Sequence, residues 1–180
     1  MHQQIRQYKV HFYIIGYWII DYEYLSWKEI FAMSNLKKSI FIKAPMDKVV
    51  KYATNPKEWA HWYTHLSEPE NLTGTGEKGT VGEFKYTIIG MNQPMTVEVK
   101  ENSPSNGKHV WIGTFEGPLS GTQTFTYMER DGGTELDVEI EYKLPGSILG
   151  KFADALIVER IQENATTATL NNLKTICEAM

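Results

Sequence analysis

Two histidines, His61 and His65, stand four residues apart in a segment with helical spacing, an arrangement that can present two metal ligands on one face. No third ligand stands nearby, so the pair reads as exposed or mouth-lining side chains, and no metal is expected. Cys177 lies among apolar neighbours near the C-terminus. Thiolate chemistry needs access and positive potential, so Cys177 reads as a packing residue. No Gly-x-Ser-x-Gly elbow is present. Gly74-Thr75-Gly76-Glu77-Lys78-Gly79 has the glycine spacing of a dinucleotide fingerprint, but a strand pattern over 81–89 follows where a helix should begin. Its reading is a glycine-rich hairpin, and no cofactor is expected. His109 and Arg130 read as ordinary surface residues. No acid/base pair has a spacing that demands catalysis, and no catalytic residue is assigned.

What remains is aromatic. Trp59, Trp62, Tyr63, Phe84, Tyr86, Trp111, Phe115, Phe125, Tyr127 and Tyr142 are many large side chains for a two-layer domain. Opposite them the C-terminal segment offers the small residues Ala165 and Ala168. Small residues facing aromatics either close up by packing or leave room for a ligand.

The elements that position these residues follow from period and punctuation. Ser39–Lys43 reads as a strand with Ile40 and Ile42 on one face. Pro45 opens a short helix whose Met46, Val49, Val50 and Ala53 recur at helical spacing. Asn55-Pro56-Lys57-Glu58 reads as a second helix start, with Asn55 as cap and Glu58 reaching back to it, followed by Trp59, Trp62, Tyr63 and Leu66 on one face. From Glu70 the period is two. Phe84, Tyr86 and Ile88 alternate with charge, as do Met95, Val97 and Val99, and later Leu136, Val138, Ile140 and Tyr142. The segment 102–108 reads as a turn, and Asp131-Gly132-Gly133 as a hairpin. From Pro145 to Met180 the chain reads as helical, with a bend or break near 156–159, where the apolar face changes sides. Ile148, Leu149 and Phe152 would belong to a short first helix, and Val158, Ile161, Ala165 and Ala168 to a long second one. About six antiparallel strands with one dry face need a cover, and this last helix is long enough to provide it.

The chain has 180 residues, a formal net charge of -4 and one cysteine. Such a length buries a single core, and the scattered lysines argue against a nucleic-acid surface. The lone cysteine permits no intrachain disulfide and fits a reducing cytoplasmic location. Residues 1–32 differ from the rest and hold Tyr8, Tyr13, Tyr17, Tyr22 and Tyr24. Their apolar stretch, Phe12 to Ile20, falls short of the roughly 20 residues of a membrane span. Four charges between Asp21 and Glu29 and no small-x-small site argue against a signal peptide. The domain is expected over 33–180, with 1–32 an N-terminal extension upstream of the true start or poorly packed.

Ile42-Lys43-Ala44-Pro45-Met46-Asp47-Lys48-Val49, Asn55-Pro56-Lys57-Glu58-Trp59, Gly74-Thr75-Gly76, Gly133-Thr134 and Tyr142-Lys143-Leu144-Pro145-Gly146, in this order, resemble the SRPBCC (START/Bet v 1-like) superfamily, most nearly its polyketide cyclase/dehydrase-like branch. The resemblance implies an α+β helix-grip fold: a curved antiparallel sheet of about seven strands around a long C-terminal helix, with two short helices after the first strand. It implies a cavity between sheet and helix, with the glycine-rich loop near its mouth. The wall is expected from Trp59, Trp62, Tyr63, Phe84, Tyr86, Met95, Val97, Trp111, Phe115, Tyr142, Ile161, Ala165 and Ala168. Three functions remain open: binding or carriage of an apolar lipid, aromatic or polyketide-like molecule; a cyclase/dehydratase using a tyrosine or histidine as acid; or a protein-interaction module. Exposure of Trp59 and Trp62 would favour the last.

Overall fold

The computed structural model describes residues 33–88, 90–143 and 155–180. Strand β1 (Met33–Ile42) is followed by the helices α1 (Met46–Ala53) and α2 (Trp59–Trp62). Strands β2 (Asn71–Thr73), β3 (Val81–Ile88), β4 (Met91–Ser105), β5 (Lys108–Glu116), β6 (Ser120–Arg130) and β7 (Gly133–Lys143) come next, then α3 (Ala155–Ala179). All strand pairs are antiparallel, and the sheet order is β1-β7-β6-β5-β4-β3-β2.

Alternation decides which face is dry. In β7, Leu136, Val138 and Tyr142 are buried while Glu141 and Lys143 are exposed. Register is fixed by tight turns: Asp131 and Gly132 both hold positive φ (48° and 75°) between β6 and β7, as Asn106 and Gly107 do (49° and 75°) between β4 and β5. Two successive left-handed residues make the two-residue hairpin turn whose twist matches that of the strands.

Several expectations need correction. The turn expected over 102–108 is only Asn106-Gly107, because β4 continues to Ser105 past a register shift between Val99 and Glu101. Beyond Glu98 the far side of β4 has no strand neighbour among the described residues, where Pro104 is tolerated. Strand β1 begins at Met33 rather than Ser39. Ser34 and Lys38, of the same parity as Ile40 and Ile42, disguised it; Ser34 Oγ donates to Glu159 Oε1 (3.0 Å) and Lys38 Nζ to Glu163 Oε1 (2.6 Å) on α3. Helix α2 is one turn, and Asn55 does not cap it. Asn55 Oδ1 instead accepts from the Lys57 amide (3.2 Å), and the Glu58 carboxylate turns to His61 Nδ1 (3.0 Å). Tyr63 and Leu66 therefore lie beyond α2, in a segment that runs beside β3: Ser67 N–H donates to Lys85 O (2.9 Å), Thr87 N–H to His65 O (2.9 Å) and Glu70 N–H to Glu83 O (2.7 Å).

Helix α3 is helical from Ala155 through 156–159, so its junction with the expected first helix falls before Ala155, outside the described residues. The short first helix over 148–152 and the extension 1–32 lie outside the described residues. Helix α3 lies along β1, an outer strand of the sheet: Lys174 Nζ donates to Phe41 O (2.5 Å), and the Lys43 amide to Glu178 Oε1 (2.7 Å). These contacts satisfy backbone groups at the C-terminal end of that outer strand.

Candidate functional site

Between sheet and α3 lies a cavity of about 80 Å³, several times the roughly 10–15 Å³ that one water occupies on the same measure. Its sheet side is built from Tyr86 of β3, Met95 and Val97 of β4, Phe115 of β5, Gln123 and Phe125 of β6, and Val138, Ile140 and Tyr142 of β7, with Leu36 from β1. The helix side is Gln162, Ala165, Thr166, Thr169 and Leu170 of α3. Trp59, Tyr63, Thr64 and Leu66 close one flank, and Leu119, between β5 and β6, another. Gly121 allows the wall its shape: a Cβ there would stand 2.0 Å from Glu141 O and 2.9 Å from the Phe115 ring.

The polar groups of the wall are few and mostly paired with each other. Tyr63 Oη donates to Gln123 Oε1 (2.8 Å), and Tyr86 Oη to Gln162 Oε1 (3.3 Å). The Thr64 amide donates to Thr169 Oγ1 (2.9 Å), fastening the segment after α2 to α3. Burial pushes the Tyr63 phenol well above its ordinary range and raises Tyr86 and Tyr142 as well. All three are neutral hydrogen-bonding groups at physiological pH. Among the described residues the wall holds no Asp, Glu, His, Lys or Arg. Two of its buried polar atoms, Gln162 Nε2 and Thr64 Oγ1, have no hydrogen-bond partner among the described residues.

Of the residues expected on the wall, Trp59, Tyr63, Tyr86, Met95, Val97, Phe115, Tyr142 and Ala165 are brought together there. Trp62, Phe84 and Trp111 are buried behind it. They belong to an aromatic stack in which Trp59 meets Phe84 at 5.7 Å and Trp111 at 5.6 Å, and Phe125 meets Trp62 at 6.1 Å and Trp111 at 5.4 Å. Packing thus takes up part of the aromatic set. Ile161 and Ala168 are half-buried off the cavity, because α3 turns Gln162, Thr166 and Thr169 inward instead. Those three polar residues, and Gln123, escaped a reading that sought apolar faces. Counting back from Leu170, Leu173 and Cys177 in steps of three and four reaches Thr169, Thr166 and Gln162, and alternation from Phe125 reaches Gln123.

The other candidates fall away from the cavity. His65 lies beyond α2 with φ 72°, its ring edge-on to Tyr86 at 6.4 Å, so it does not share a helix face with His61. His61 is exposed between Glu58 (3.0 Å) and Glu68 (3.5 Å). His109 is half-buried, with Nε2 2.6 Å from Asn102 Oδ1, rather than an ordinary surface residue. Burial pushes the Cys177 thiol up to about 11, which disfavours the reactive thiolate. The glycine-rich loop joins β2 to β3 and contributes nothing to the wall. It docks on the end of α1, where a Cβ on Gly76 (φ 122°) would meet Thr54 O at 2.5 Å. Among the described residues no three His, Cys, Asp or Glu side chains could hold a metal ion, and no helix is long and apolar enough to cross a membrane.

A seven-stranded antiparallel sheet gripping a C-terminal helix, with a cavity between them, defines the helix-grip class. The sequence profile of the family described as polyketide cyclase / dehydrase and lipid transport matches residues 33–178. The chain belongs to that family, within the SRPBCC (START/Bet v 1-like) superfamily. Among solved structures it is similar to Ara h 8.0201 (TM-score 0.61, 12% identity, covering 83% of this chain and 100% of that one). It is also similar to a START superfamily protein from Mycobacterium smegmatis (TM-score 0.62, 13% identity, 81% and 97% covered). A conserved protein from Geobacillus kaustophilus is similar too (TM-score 0.63, 13% identity, 80% and 95% covered). Comparison with curated protein sequences gave no match. At these identities the likeness concerns the fold, and function has to be argued from the site.

Proposed function

We propose that the protein binds or carries an apolar small molecule, of lipid, aromatic or polyketide-like character, in the cavity between the sheet and α3. The observation that carries this reading is the cavity itself: a largely apolar wall with a few polar groups at fixed places, the usual composition of small-molecule sites. The family description, which includes lipid transport, is in keeping with it. A cyclase or dehydratase would need a proton donor or acceptor in reach of substrate. Among the described residues the wall's ionisable groups are phenols that burial holds protonated: none is a base at neutral pH, and as donors the Tyr63 and Tyr86 hydroxyls are already engaged by Gln123 and Gln162. A docking surface built on Trp59 and Trp62 is disfavoured, since they are 2% and 0% exposed. The test is native mass spectrometry of protein purified from its own host. An apolar compound released on denaturation, and displacement of an apolar fluorophore by that compound, are expected. A ligand-free protein to which no apolar fluorophore binds would refute the reading.

A further inference from the structure

We propose that the ligand of this cavity is a neutral molecule whose apolar body carries a carbonyl-type oxygen, and that the side-chain amide of Gln162 receives that oxygen. The inference rests on the reading of the cavity as a ligand site and narrows it to a chemical class. Gln162 is 9% exposed and stands on the α3 side of the wall. Its Oε1 accepts from Tyr86 Oη (3.3 Å), while its Nε2, a donor of two N–H bonds, is buried with no partner among the described residues. A pure hydrocarbon would leave that donor unpaired. A ligand oxygen would accept from it while the rest of the molecule is buried against the apolar wall.

Charge narrows the class further. A carboxylate entering the cavity would lose its hydration, and no Lys, Arg or His on the described wall could compensate it. The phenols of Tyr63 and Tyr86 already donate to Gln123 and Gln162. The second unpaired polar atom, Thr64 Oγ1, belongs to a residue tied to Thr169, seven residues from Gln162 and so about 10 Å along the helix axis. The amide of Gln162 therefore acts at one end of the cavity, apart from Thr64.

Three probes of similar shape separate these terms: isopropylbenzene, acetophenone and benzoate, titrated into the ¹⁵N-labelled full chain and followed by two-dimensional NMR. Both neutral probes should shift resonances of the wall, and benzoate should bind at least about tenfold more weakly than acetophenone. Gln162→Met keeps the side-chain length. It is introduced in a Tyr86→Phe background so that no freed phenol replaces the amide. It should weaken acetophenone about fivefold and leave isopropylbenzene within about twofold. Equal effects on both neutral probes, or benzoate binding as tightly as acetophenone, would overturn the inference and leave the apolar-ligand reading standing. Failure of all three probes to bind would overturn both. An independent measurement needs no variant: the infrared carbonyl stretch of ¹³C-acetophenone bound to the unaltered protein should fall below its value in hexane, and a stretch at the hexane value would refute the hydrogen bond.

Discussion

Tyr63 and Gln123 come from sequence-distant elements and meet only because the sheet curls over α3; once buried, each depends on the other. Removing a single hydroxyl strands a buried acceptor, which costs about 1–3 kcal/mol. Tyr63→Phe should therefore lower the melting temperature by several degrees, as read by circular dichroism. At Gly121 the constraint is backbone contact rather than φ. Gly121→Ala places a carbon against Glu141 O and the Phe115 ring, so β6 and β7 must separate. Destabilisation of about 1–3 kcal/mol or more by urea unfolding is expected. His109 gives the pH dependence. Packed beside Asn102 and Tyr127, its imidazole is held below the ordinary value of 6.5 by burial. As pH falls below that value the unfolded chain takes up the proton first, so this contribution to stability is complete above about 6.5 and declines below it. The melting temperature should drop on acidification from pH 7.5 to 5.5, and by less in His109→Gln.

Helix α3 does two jobs with two faces. Toward the sheet it buries Val158, Leu170, Leu173 and Cys177, and it places Gln162, Ala165, Thr166 and Thr169 over the cavity. Toward β1 it uses charge, through Glu163, Lys174 and Glu178. Ala165 is the position where its wall is smallest. In Ala165→Trp the indole should enter the cavity, abolishing binding of an apolar fluorophore with little loss of stability. In a close-packed core the same change would cost about 1–3 kcal/mol. A melt and a binding titration on one sample separate the outcomes, and strong destabilisation with no binding in the parent protein would contradict the cavity reading.

At the scale of the molecule, the first strand begins at Met33 and the family profile at the same residue. We propose that residues 33–180 fold as a unit. Their thermal unfolding should match that of the full chain within a few degrees, and insolubility or a large loss would refute this. The sheet and its helical cover were legible in the sequence because they rest on local signals: period-two alternation in β3, β4 and β7, the Asp131-Gly132 turn, and a C-terminal segment free of proline after Pro145 and long enough to cover the sheet. Boundaries failed where polar residues found partners far along the chain, as Ser34 and Lys38 did with Glu159 and Glu163 and Asn102 with Gly76. The site divided in the same way. Alternation placed Tyr86, Met95, Val97 and Tyr142 on the inner face, but it could not tell which aromatics line the cavity and which stack behind it. Curvature of the sheet and the rotation of α3 decided that, sending Trp62, Phe84 and Trp111 into packing and turning Gln162, Thr166 and Thr169 inward. Face is a property of local period, whereas enclosure is set by long-range packing, and a buried glutamine reads as a surface residue until its tyrosine partner is beside it.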